Sequence, residues 1–315
     1  MTPAKSLAPA SHGVYPRGVG VEFLFALAFV VSFSAVATLV SRGNDAPAPI
    51  RLTHDGHFKQ RPAWSPDGKQ LVFSRHKGNR IELALMSADG TGEKTLTTGK
   101  FPQYDACWSP DGAKLAFTHV AQTPGQGNLE VYLAKLDVFE PQKFAGDQGK
   151  LSHEEYPAWS PDGKWIAYSS THEGNQELYV ADAEGANHRR LTNDPAFDAH
   201  PAWSPDGRQI VCATSRWGDF EIAVIEVETG NVTRLTESRG LDDYPVFSPD
   251  GRRLAFLSNR DGNYEIYCSD AAGLHPVNIT QHAAVDNFPA WTPAGKLGFV
   301  SNRDEVWDIY VTTVP

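Results

Sequence analysis

From Ile50 onward the apolar residues come in short runs that recur in a fixed order. Trp165-Ile-Ala-Tyr168 has counterparts at Gln70–Phe73, Lys114–Phe117, Gln209–Cys212, Arg253–Phe256 and Lys296–Phe299. A polar loop follows each run, and then comes an alternating segment opened by an acid, as in Glu177-Leu-Tyr-Val180, Glu265-Ile-Tyr-Cys268 and Asp308-Ile-Tyr-Val311. A shorter segment closes the set: Arg190-Leu-Thr192, Arg234-Leu-Thr236 or Asn278-Ile-Thr280. Runs this short, rich in β-branched and aromatic residues and bounded by polar turns, predict strands.

One octapeptide sets the register of these runs. Pro157-Ala-Trp-Ser-Pro-Asp-Gly-Lys164 recurs at Pro62–Lys69, Pro201–Arg208 and Pro245–Arg252, and in altered form at Ala106–Ala113 and Pro289–Lys296. Its aromatic residues, Trp64, Trp108, Trp159, Trp203, Phe247 and Trp291, follow one another at 44, 51, 44, 44 and 44 residues. Such a period is that of a four-stranded propeller blade. Ala-Trp at the head of the octapeptide reads as a short strand A, and Ser-Pro-Asp-Gly as a tight turn in which Pro presets φ and Gly accepts a positive one. The three kinds of run above then supply strands B, C and D.

The two ends of the repeat array complement each other. The apolar residue of strand D stands ten positions before each regular octapeptide, and Leu52 stands ten before Pro62, so Arg51-Leu-Thr53 is a strand D with no blade ahead of it. The sixth repeat runs out near Thr312, after its strand C. The expected fold is therefore all-β, a six-bladed β-propeller of four-stranded antiparallel blades, closed by the N-terminal strand completing the last blade. Closure of this kind removes open sheet edges. The spacing of 51 places four extra residues in the B–C loop around 121–127 and three in the D–A loop before Pro157, and in an antiparallel blade both loops lie on one face. Insertions confined to one face mark a binding surface.

Ahead of the propeller (50–315) lie a linker (41–49) and a segment 1–40 that reads as a signal peptide or a signal anchor. Phe23 to Val40 has no charge, Lys5 and Arg17 precede it, and Ala35-Val-Ala37 matches a cleavage signal. Left uncleaved, the run just reaches the length of a membrane tether. Either way the basic flank predicts an extracytoplasmic propeller, periplasmic or secreted.

Charge and cysteine content narrow the chemistry. A net charge of −10 argues against a nucleic-acid backbone as partner, which would need neutralising Lys and Arg. The three cysteines, Cys107, Cys212 and Cys268, fall in apolar columns of different blades and are expected as buried free thiols. Asn259–Asn263 lacks the spaced carboxylates and terminal Glu of a calcium loop and reads as a turn.

Candidate chemistry gathers on the insertion-bearing face. Three positions before each octapeptide stand Lys59, Gln103, Glu154, Asp198, Asp242 and Asp286, with Glu155 and Asp243 beside them. Farther out stand Lys77, His172, Arg216, Arg260 and Arg303, four positions after the strand-B aromatic column. The acids form an acidic mouth for a cation or basic peptide, or else they cap turns and pair with the outer arginines. Immediately before the octapeptide come Arg61, Asp105, Tyr156, His200, Tyr244 and Phe288, a mixture suited to gripping a peptide or sugar or to packing neighbouring blades. The candidate binding residues are thus Glu154, Glu155, Asp198, Asp242, Asp243, Asp286, Tyr156, His200, Tyr244 and Phe288. His54, His57, His153, His200 and His282 lie in or beside D–A loops at unequal offsets, so no metal and no cofactor is expected.

The octapeptide P-A-W-S-P-D-G-K, with strand C as E-I-Y-V and strand D ending in L-T, resembles the TolB-type, or WD40-like, propeller repeat, which also occurs in relatives of prolyl oligopeptidase. The resemblance covers about residues 50–315, and it implies the propeller just described. No Trp-Asp dipeptide closes strand C, which separates it from true WD repeats, and no G-x-S-x-G nucleophile elbow occurs. The expected function is a non-catalytic extracytoplasmic binding propeller that recognises a protein, peptide or glycan of the cell envelope through the loop face around its channel. The alternative is a small propeller lyase or hydrolase with a metal held by channel histidines and carboxylates.

Overall fold

The computed structural model describes residues 48–315, apart from 98, 124–125 and 145–151. The expectations for Phe23 to Val40 and for cleavage after Ala37 lie outside the described residues.

Six four-stranded antiparallel sheets follow one another, each in the order A, B, C, D. Blade 1 consists of Lys59–Trp64, Gln70–Lys77, Arg80–Ser87 and Lys94–Thr95, and blade 2 of Gln103–Trp108, Lys114–Thr123, Gln126–Lys135 and Gln142–Lys143. Glu154–Trp159, Trp165–Ser170, Glu177–Asp182 and Arg189–Arg190 make blade 3, and Asp198–Trp203, Gln209–Trp217, Asp219–Glu226 and Val232–Arg234 make blade 4. Blade 5 takes Asp242–Phe247, Arg253–Ser258, Glu265–Asp270 and Val277–Asn278. Blade 6 takes Asp286–Trp291, Leu297–Ser301 and Asp308–Thr312, with Ile50–Arg51 as its outermost strand. Every strand A touches strand A of both neighbouring blades, so the six A strands ring a central channel.

The seam forms where the repeat count places it. Ile50 pairs with Val311 and Arg51 with Tyr310, and the Leu52 N–H donates to the Ile309 carbonyl at 2.8 Å. Asp308, fully buried, accepts from Thr53 Oγ1 at 2.6 Å, Arg51 Nη2 at 2.5 Å and Lys59 Nζ at 2.8 Å.

Each Ser-Pro-Asp-Gly turn is built alike. In blade 1 the Ser65 hydroxyl donates to Asp67 at 2.7 Å while accepting the Gln70 N–H at 2.9 Å, and Gly68 holds φ 71°. The hydroxyl bond, together with the Lys69 N–H, lowers the Asp67 pKa, and the same happens at Asp111, Asp162, Asp206 and Asp250. The blade-core aromatics then tie one blade to the one before it. Trp108, Trp203 and Trp291 each donate their indole N–H to the preceding blade, to the carbonyls of Ala63 (2.9 Å), Ala158 (3.0 Å) and Val246 (3.2 Å).

Strand D is fixed to strand C by a buried acid. Glu177 accepts from Thr192 Oγ1 at 2.5 Å, Arg190 Nη2 at 2.9 Å and the Asp194 N–H at 2.8 Å. Glu221 repeats the set with Thr236, Arg234 and the Ser238 N–H. The acid of strand C and the Arg-Leu-Thr of strand D are thus two halves of one clamp, which satisfies a carboxylate taken out of water.

Strand A departs from the two-residue expectation. It is six residues long and starts with the column Lys59, Gln103, Glu154, Asp198, Asp242, Asp286, so these residues belong to a strand and not to a loop. A bulge in mid-strand hides this continuity from the pattern. In blade 1 Gln60 pairs with Ser74 and Ala63 with Val72, leaving Arg61 and Pro62 opposite a single residue. The proline has no N–H for the ladder, and a bulge is where a strand tolerates it. The B–C insertion of blade 2 also differs from a loop: the extra residues lengthen strands B and C to ten residues each. The three cysteines are free, and burial pushes the Cys107 thiol up to about 12 and that of Cys268 to about 11.

A candidate binding ring in the central channel

The bulge repeats in all six blades, and the residue before the octapeptide takes a left-handed backbone each time. Its φ is 50° at Arg61, 55° at Asp105, 58° at Tyr156, 55° at His200, 51° at Tyr244 and 53° at Phe288. For residues with a Cβ this conformation costs about 1 kcal/mol each. A bulge re-aims a side chain, and here it turns all six toward the channel axis. The backbone N–H groups freed by the bulges find partners: Asp105 donates to Ser74 Oγ at 3.1 Å, Tyr156 to Thr118 Oγ1 at 3.3 Å, Tyr244 to Asp243 Oδ1 at 2.7 Å and Phe288 to Asn287 Oδ1 at 2.8 Å.

The six side chains meet across the channel. Four aromatic rings from blades 3 to 6 touch in sequence, Tyr156 to His200 at 4.3 Å, His200 to Tyr244 at 4.0 Å and Tyr244 to Phe288 at 4.9 Å between centroids. From the opposite side Arg61 reaches over, its Cζ 4.9 Å from the Tyr244 centroid and 5.3 Å from that of Tyr156, while its Nε lies 3.2 Å from Asp105 Oδ1. His200 Nδ1 stands 2.5 Å from Asp243 Oδ1. Arg61 and Asp105 occupy the same column as the predicted aromatics but lay outside the candidate set. Their column position was the available signal, and residue type alone had hidden it.

The acids of strand A take a different position. Asp198, Asp242 and Asp286 are fully buried, each bonded to an arginine of the outer column: Arg216 at 2.6 Å, Arg260 at 2.8 Å and Arg303 at 2.9 Å. Of the two arrangements weighed for these acids, the structure shows the pairing with arginine. Burial pushes the Asp198 carboxyl up, with the Thr214 hydroxyl and Arg216 opposing. The guanidinium carbons of Arg260 and Arg303 also lie over aromatic rings, that of Arg303 at 4.7 Å from the Phe299 centroid and 5.0 Å from that of Tyr310. Glu154 is buried beside Ser152, and that burial raises its pKa, the Ser152 hydroxyl and Lys143 opposing. Glu155 is buried as well. In blade 1 Lys59 replaces the acid and turns to Asp308 across the seam.

The polar ring can therefore offer a ligand aromatic faces, a guanidinium and the Asp243 and Asp105 carboxylates. Among the described residues no group of three or more His, Cys, Asp or Glu side chains is placed to hold a metal ion.

The Tol-Pal system protein TolB of Alcanivorax borkumensis is 31% identical over 107 residues, which is 33% of this chain and 23% of that protein. The uncharacterized peptidase YuxL of Bacillus subtilis is 29% identical over 152 residues, 38% of this chain and again 23% of that protein. The match thus spans about a quarter of the length of these two relatives. TolB from Acinetobacter baumannii has a similar structure, with a TM-score of 0.60 at 22% identity over 82% of this chain and 64% of that one. An oligogalacturonate lyase in complex with manganese superposes at a TM-score of 0.57 and 16% identity, covering 84% of this chain and 92% of that one. Both likenesses are of fold. A family model described as the TolB beta propeller domain (PD40) matches residues 80–241 and 221–315, and the chain belongs to that family.

Proposed function

We propose that the protein is a non-catalytic, extracytoplasmic binding propeller that holds a protein or peptide of the cell envelope at the channel mouth on its B–C and D–A face. The observation that carries this reading is the column of six left-handed residues. A fold does not repeat a strained backbone six times without return, and the return here is a set of aromatic and charged side chains convergent on one axis. Tyr156, His200, Tyr244 and Phe288, with Asp243 and Glu155 beside them, would form the contact. Glu154, Asp198, Asp242 and Asp286 would shape it from beneath by fixing the strands and the outer arginines. Family membership and the uncharged run behind a basic flank support the location.

Affinity capture from native envelope extract tests the proposal. The wild type should retain a partner that Tyr244→Ala loses by about tenfold or more, while Lys164→Ala on the opposite face retains it. Equal retention by all three would end this reading.

A second reading, a propeller lyase or hydrolase, has one specific observation in its favour, the 2.5 Å contact between His200 Nδ1 and Asp243 Oδ1, which fixes the imidazole as a general base is fixed. Metal analysis of the purified protein separates the two. A stoichiometric metal lost on His200→Ala would support the enzyme.

A further inference from the structure

We infer that the channel ring is a site for a guanidinium or alkylammonium cation, occupied in this structure by the chain's own Arg61. This rests on the channel-mouth reading and names the chemistry of its ligand, the side chain of an arginine or lysine in a basic segment.

The ring divides into unlike halves. Blades 3 to 6 contribute Tyr156, His200, Tyr244 and Phe288, each in contact with the next. Blades 1 and 2 contribute Arg61 and Asp105. The guanidinium does not stay on its own side: it crosses the axis to two tyrosines carried by blades 3 and 5. Aromatic faces bind cations through the ring quadrupole, and more strongly when water is excluded. Tyr156, His200 and Phe288 are buried, as are Asp105, which pairs with Arg61, and Asp243, which pairs with His200. The faces of Tyr156 and Tyr244 with the Asp105 carboxylate thus form the aromatic and acidic setting that a basic side chain requires, and the Arg61 guanidinium lies in it.

Arg61 is a tethered occupant and not a wall of the cage. Its side chain is 21% exposed, more than that of Asp105 at 4%. A basic side chain arriving from the mouth would replace it over Tyr244 and take up its contact with Asp105, releasing Arg61 to solvent. The tethered guanidinium therefore competes with the ligand and sets a threshold for affinity, as any bound competitor does.

Guanidinium rescue tests the inference without any partner. Methylguanidinium chloride at about 20 mM should raise the Tm of Arg61→Ala by about 3 °C over the same concentration of KCl, and leave the wild type unmoved. Adding Tyr244→Leu to Arg61→Ala should abolish the rise. No rise in Arg61→Ala, or an equal rise in the wild type, would overturn the inference. Should Arg61→Ala not fold, NMR of the wild type decides. The Arg61 Nε–H signal should be shifted by the tyrosine rings and should move toward its free position on titration with arginine methyl ester. A signal at the free position from the outset, or one that does not move, rejects the cage. The functional proposal fails separately: a cage that binds methylguanidinium while partner capture survives Tyr244→Ala would leave the cage intact and remove only its proposed use.

Discussion

Lys59 Nζ lies 2.8 Å from Asp308 Oδ1 across 249 residues of chain, and neither side chain reaches solvent. The position of Lys59 is held by an acid in blades 3 to 6, where its partner is an arginine of the same blade in blades 4 to 6. At the seam the charge is inverted and the partner comes from the last blade. The cation of blade 1 and the acid of blade 6 complete each other only when the ring is closed.

Asp308→Asn should therefore open the seam. It leaves Lys59 buried with only the partly exposed Asp55 as counter-charge, and an uncompensated buried charge costs about 3 kcal/mol. Asp304→Asn is the control, since Asp304 is half-exposed and 3.4 Å from Arg51, and a surface pair contributes under about 1 kcal/mol. Urea unfolding of both variants measures the difference. Equal stabilities would mean that the Leu52 and Ile309 backbone bond holds the seam without its charges.

Gly298 meets the same seam from the core. A Cβ there would lie 2.0 Å from Cη2 of Trp64 and 2.4 Å from its Cζ3. The equivalent residues of the other blades are Val72, Ala116, Ala167, Val211 and Ala255, so only here has the strand-B position given up its side chain to an indole. Gly298→Ala should lower stability by about 1–3 kcal/mol through overpacking. In a Trp64→Leu background the same change should cost less than half as much, and a full double-mutant cycle reads the coupling. Additive losses would contradict the contact.

Glu265 is a clamp acid with no basic residue on its strand D, because that strand of blade 5 reads Asn278-Ile-Thr280 where blades 3, 4 and 6 have arginine. Thr280, Asn263 and the His282 N–H surround it, yet burial pushes its pKa up to about 7, with those bonds opposing. The folded protein therefore holds a proton at Glu265 that the unfolded chain has released. The stability this contributes is complete below about pH 4.5 and is lost as pH rises through about 7. Glu265→Gln keeps the neutral form, so its Tm relative to the wild type should climb between pH 5 and pH 8, by about 2 °C or more. The same change at Glu221, which Arg234 holds at 3.0 Å, should bring no gain. A pH-independent difference at Glu265 would mean that it is ionised throughout.

How much of this was legible follows the physics of each element. The Ser-Pro-Asp-Gly turn dictates its own backbone through Pro, Asp and Gly, so its five copies, with Thr292-Pro-Ala-Gly295 as a sixth, announced six blades. Ring closure was legible because Leu52 keeps the ten-residue offset to Pro62 that strand D keeps in the regular repeats. The length of strand A was not, because Asp198, Asp242 and Asp286 are poor strand formers on intrinsic preference and the following proline argues against a ladder. Their arginine partners, sixteen or more residues away in sequence, supply the stability that local preference denies. The left-handed column was hidden for another reason: Arg, Asp, Tyr, His, Tyr and Phe share no propensity for positive φ, and only the bulge imposes it. The proximity of Arg61 to Tyr156 and Tyr244 needs ring closure and the bulge together, and no single repeat contains that information.

Asp286 and Arg303 separate structural support from ligand contact. Arg303 Nη2 donates to both carboxylate oxygens, at 3.0 and 2.9 Å, and its Cζ lies over the rings of Phe299 and Tyr310. Asp286→Ala alone should cost about 3–5 kcal/mol, since it strands a nearly buried guanidinium, whereas Asp286→Leu with Arg303→Met replaces both charges by apolar groups of similar bulk and should restore most of that loss. Chemical denaturation checks the pair. The same double variant tests the role of the acid: as a support for the channel ring, its loss should leave partner capture within about twofold of the wild type, far from the tenfold effect expected of a contact residue. Capture lost in a double variant of normal stability would place Asp286 in the contact itself, and Arg303 would then be a competitor that the ligand displaces.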